Sequence, residues 1–165
     1  MPFASGPCVS GQSDNVSAMQ DHPRSATGIW HNGEIPVIFR RGKPLPLMVK
    51  LPPSKENPRE WLKDDQRRNP EWNKKYQCWE VPNTWLDDLV SRLLHRYGKV
   101  YLIQPHKVLE KCAPACWNAR GFECNCSCLG QNHGSQSGLG WYIVAESFAF
   151  RWETRELACR LIVAK

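Results

Sequence analysis

The sequence predicts an α+β domain: a small, mostly antiparallel sheet with one main helix packed on it, and a metal-binding cysteine knuckle inserted before a C-terminal hairpin. Three observations predict it. Apolar runs too short for helices lie on both sides of a single amphipathic helical stretch. No repeat with a period of roughly 20 to 50 residues is present. Five of the eight cysteines fall within 17 residues, from Cys112 to Cys128. At 165 residues, with 41% apolar and 23% charged side chains, the chain suits one globular domain.

The elements follow in order. Residues 1–27 are Ser, Gly, Gln, Asp, Asn and Pro with scattered small residues. They are too poor in large apolar groups to offset their ordering entropy, so they read as a disordered arm before a domain at 28–165. Two strands are expected at 35–40 and 45–50 around a turn at Gly42, with Pro36 and Pro46 limited to strand starts or edges. A short helix at 58–65 begins with Asn57-Pro58, where proline is tolerated in a first turn.

The clearest helix covers 83–97. Leu86, Leu89, Val90, Leu93, Leu94 and Tyr97 recur on one face. Asn83 is the expected cap, Asp87 and Asp88 complement the first turn, and Arg92, His95 and Arg96 crowd the last. Gly98 suits a left-handed stop. A central strand at 99–103 follows, then the cysteine segment, a Gly/Ser/Gln hinge at 134–140, and a closing hairpin of 141–150 with 157–164.

Net charge is +6, unevenly placed: residues 40–111 hold sixteen Lys/Arg against nine acids. Such a basic block is the electrostatic footprint of nucleic-acid binding. No apolar run of about 18 residues could span a bilayer, so no membrane partner is expected. The N-terminal residues lack a signal-peptide pattern, which places the chain in a reducing cytoplasm and disfavours a disulfide framework. Cys8, Cys78 and Cys159 then read as incidental or buried thiols.

Cys112, Cys116, Cys124, Cys126, Cys128 and His133 are the candidate metal ligands. Thiolates and imidazole at short spacings suit zinc, which takes four such ligands in a tetrahedron. Six candidates leave two arrangements open: one zinc on Cys112, Cys116 and two later ligands, or two zinc ions sharing a bridging thiolate. An iron–sulfur cluster is the alternative cofactor, although the spacing matches neither common ferredoxin pattern. A zinc deaminase is excluded, because His-x-Glu with Pro-Cys-x-x-Cys is absent.

Between residues 61 and 85, four Trp and one Tyr interleave with basic pairs. Arg67, Arg68, Lys74 and Lys75 are candidates to neutralise phosphates, and Trp72 and Tyr76 to stack on bases. Trp79 and Trp85 read instead as core.

The segment Cys112-x3-Cys116-x7-Cys124-x-Cys126-x-Cys128-x4-His133-Gly134 resembles a compact cysteine signature of small, mostly uncharacterised proteins of bacteria, phages and mobile elements. The resemblance covers 23 residues and implies a shared metal-binding or structural knuckle. Lys75-Tyr76-Gln-Cys-Trp79-Glu-Val81-Pro82 before a helix locally resembles the HARP domain, found beside annealing helicases, which implies DNA contact.

These readings converge on a zinc-stabilised, non-enzymatic protein of a bacterial mobile element or phage that binds DNA or RNA, single strands included. The alternative is a protein-interaction module, such as a phage inhibitor of a host defence complex. A metal- or cysteine-dependent enzyme using Cys126 and His133 is a third class, but no nucleophile–base pair or paired carboxylates at informative spacing support it.

Overall fold

The computed structural model describes residues 26–107, 113–124, 141–152 and 154–165. Its strands are β1 (Val37–Phe39), β2 (Leu47–Lys50), β3 (Glu71–Asn73), β4 (Cys78–Val81), β5 (Lys99–Pro105), β6 (Tyr142–Trp152) and β7 (Arg155–Ala164). Its helices are α1 (Ala26–Trp30), α2 (Pro58–Lys63), α3 (Leu86–Tyr97) and α4 (Pro114–Trp117). The strands form one sheet in the order β3-β4-β2-β1-β5-β7-β6. Every neighbouring pair is antiparallel except β1 with β5.

The α+β architecture agrees with the sequence, but the sheet is larger than expected. The basic and aromatic stretch contributes two strands, β3 and β4, which pair through Trp72 and Trp79 and extend the sheet beyond β2. Ala26 and Thr27, which the sequence reading assigns to a disordered arm, belong instead to α1. Residues 1–25 lie outside the described residues.

Both faces of the sheet are covered, and this explains why its central strands read as unbroken apolar runs rather than alternations. On one face α3 lays Leu86, Leu89, Val90, Leu93 and Leu94 against Ile38, Val49, Val100, Leu102 and Ile162. On the other, Ile29 and Trp30 of α1 cover Val37, Phe39, Met48, Tyr101 and Ile103.

The helix ends mix fulfilled and corrected expectations. Gly98 adopts φ +73° and its N–H closes α3 on the Leu94 carbonyl. Asn83 does not cap the helix. A 3₁₀ turn, Asn83–Trp85, precedes α3, burying Trp85, while the Asn83 amide donates to the Leu45 carbonyl. In α2, Asn57 does cap, accepting the Arg59 N–H at 3.0 Å. That helix stops at Lys63, short of the expected residue 65, because Asp64 turns to φ +44°.

Candidate functional site

Of the six candidate metal ligands, Cys112, Cys126, Cys128 and His133 lie outside the described residues. Cys116 is in α4 and Cys124 ends the described segment 113–124. Among the described residues no three His, Cys, Asp or Glu side chains are gathered closely enough to hold an ion.

What the structure does reveal is how the cysteine segment is fixed to the sheet. Gln104 of β5 and Arg160 of β7, only 2% and 3% exposed, both donate to the carbonyl of Phe122, Gln104 at 2.8 Å. The Gln104 Oε1 accepts the Cys124 N–H at 3.1 Å, and Asp87 Oδ1 at the start of α3 accepts the Phe122 N–H at 2.8 Å. Arg40 bonds the adjacent Glu123. The Phe122 ring is buried in the core beneath α3, 5.0 Å from Tyr142.

This clamp pairs the backbone groups that burial of Phe122 would otherwise strand. It also requires glycine beside it: a Cβ at Gly121 would sit 2.9 Å from Asp87 Oδ2. Sequence reasoning missed Gln104 and Arg160 as functional groups. The available signal was their place in strand runs, in phase with apolar core residues, where a polar side chain must find a partner.

The six candidate nucleic-acid residues do not form one surface. Arg67 and Arg68 are exposed and line an open cleft of 1220 Å³ together with Asp65, Glu71, Glu80 and Asn83. That lining is not predominantly positive. Lys74 and Lys75 are exposed at the opposite end of β3, in the turn leading to β4.

The two candidate stacking residues are divided by the pleat. Trp72 pairs directly with Trp79, whose ring joins the core under α3. It is 50% exposed, the most exposed of the large apolar side chains among the described residues, and meets Trp79 edge-on at 5.1 Å. Tyr76 instead packs against the other core, with Lys75 Nζ 5.0 Å above its ring.

Cys78 and Cys159 are buried, as expected for incidental thiols. Burial pushes the Cys78 thiol from its ordinary value near 9 up to about 11, with the Glu80 carboxylate adding to the effect and Arg41 and Lys50 opposing it. Burial also pushes the Cys159 thiol up. A raised value in the folded state means that the buried neutral thiol contributes stability that is complete below pH 9 and lost as pH climbs through about 11. Urea midpoints should therefore fall over this interval more steeply for the wild type than for Cys78→Ala; parallel curves would refute the assignment.

No helix among the described residues is long and apolar enough to cross a membrane. No protein-family model matches this chain, and neither a curated protein nor a solved structure is significantly similar to it.

Proposed function

We propose that the chain is a cytoplasmic, zinc-stabilised, non-enzymatic nucleic-acid-binding protein of a bacterial mobile element or phage, and that the β3–β4 edge of its sheet contacts the polymer. The observation that carries this reading is an exposed pair of basic residues at each end of β3, with the half-exposed Trp72 ring on the strand. Arg40, Arg41, Arg92, Arg96 and Arg151 each pair with a carboxylate. Arg67, Arg68, Lys74 and Lys75 flank β3 and are exposed, and among the described residues they form no ion pair.

Unpaired cations are those that release counterions on meeting phosphate, and Trp72 between them offers an open aromatic surface. The donor set supports zinc: five thiols and one imidazole within 22 residues, the sulfur-rich shell of a structural site.

Replacing Arg67, Arg68, Lys74 and Lys75 by alanine should weaken binding and flatten its salt dependence. For single strands the log–log slope should shrink by up to about 3, at roughly 0.7 per phosphate contact. Because all four side chains are exposed, the thermal midpoint should hold. An unchanged salt slope in the folded variant would sink the assignment. Capture of a partner that survives nuclease treatment would favour the protein-interaction reading.

A further inference from the structure

The sheet face under α1 carries a more selective surface than the edge cleft. Two shallow hollows open there. One, of 160 Å³, lies among Phe39, Arg41, Met48, Tyr76, Trp152 and Arg155. The other, of 170 Å³, lies among Trp30, His31, Lys75, Tyr76 and Trp152. Tyr76 and Trp152 line both, so the hollows adjoin across these two rings.

Three features decide what this surface fits. Each hollow is smaller than the roughly 300–1,000 Å³ that encloses a drug-sized molecule, a size suited to a single flat ring. Aromatic side chains supply the walls: Trp152 stacks on Phe39 at 5.4 Å with an interplanar angle of 22°, which fixes its orientation. The charged lining is cationic. Among the described residues no Asp or Glu lines either hollow, in contrast to the edge cleft with its three carboxylates.

The cations are not all equivalent. Arg41 is held by Glu80 at 2.9 Å, and Glu80 also accepts from Asn73 at 2.9 Å. Arg155 and Lys75 are exposed and form no ion pair among the described residues. They lie in different hollows, one on each side of the shared rings.

We infer that this face binds single-stranded nucleic acid, with successive bases seated against Tyr76 and Trp152 and the flanking phosphates met by Lys75 and Arg155. The inference rests on the nucleic-acid reading and deepens it, naming the strand form and adding Trp152 and Arg155 to the site. A paired duplex keeps its bases stacked on one another and presents no free ring faces to the hollows.

The test measures binding of a labelled oligothymidylate and of a labelled mixed-sequence duplex to the full chain, to Trp152→Leu and to Arg155→Glu. The single strand should bind the wild type at least tenfold more tightly than the duplex. Each variant should lose about fivefold or more of that affinity, in line with the worth of one stacked base or one phosphate contact. Arg155 is exposed, so its variant keeps the test decisive if Trp152→Leu fails to fold.

Oligothymidylate binding that both folded variants retain would overturn the groove while leaving the nucleic-acid reading intact. Tighter binding of duplex than of single strand would do the same. Binding of neither oligonucleotide by the wild type would overturn both.

Discussion

Replacing Gln104 and Arg160 together by leucine should destabilise the fold by more than the sum of the two single replacements. Arg160→Leu alone removes a charge-assisted hydrogen bond to the Phe122 carbonyl, at a cost of about 1.5–3 kcal/mol. Gln104→Leu alone leaves the Cys124 N–H without its acceptor, at about 1–3 kcal/mol. In either single variant the Phe122 carbonyl keeps one of its two donors. Only the double variant strips both, so the desolvation penalty of that carbonyl, about another 1–3 kcal/mol, enters as a coupling term.

Buried charges are often replaced by apolar groups at little cost, provided that the partner is replaced too. Here the partner is a backbone carbonyl, which no substitution removes. Urea unfolding of the four proteins in the cycle measures the term. Strict additivity would show that the two side chains do not serve one acceptor.

The clamp also marks where sequence reasoning stops. The main helix is legible because its determinants are local: leucines at helical spacing, acids at the start and a glycine that takes φ +73° at the end. The C-terminal hairpin is legible for the same reason, its two long apolar runs being joined by a short polar turn. Strands β3 and β4 escape such a reading, because three and four residues are too few to establish a period of two. Their pairing becomes visible only once Trp72 lies against Trp79.

The parallel contact of β1 with β5 is non-local in the same sense, since it depends on α3 carrying the chain back across the sheet. The candidate nucleic-acid site shows how this matters. Exposure of Arg67, Arg68, Lys74 and Lys75 follows from residue type alone. The assignment of Trp72 and Tyr76 to opposite faces does not, because it depends on the register of a hairpin absent from the sequence-level expectation. Trp152 and Arg155 reach Tyr76 from far along the chain, so no linear window contains the groove.

Chelating the proposed zinc should expose a defined subset of thiols while the core stays closed. Zinc supplies about 10–16 kcal/mol to isolated zinc-finger peptides, which unfold without it. This domain differs, because its two apolar clusters are built mainly from strands and helices outside the cysteine segment, to which that segment adds Phe122 among the described residues. Metal removal should therefore lower the thermal midpoint and loosen the segment without global unfolding, and added zinc should restore both.

Maleimide labelling distinguishes these outcomes by residue. Cys78 and Cys159, at 1% and 0% exposure, should remain unlabelled before and after chelation. Cys112, Cys116, Cys124, Cys126 and Cys128 should label slowly before and quickly after, with the ligating members showing the largest change. Rapid labelling of Cys124 with no chelator present would remove it from the ligand set. Simultaneous labelling of Cys78 and Cys159 on chelation would show that the metal holds the entire domain, and the clamp around Phe122 would then be the path by which its loss reaches the sheet.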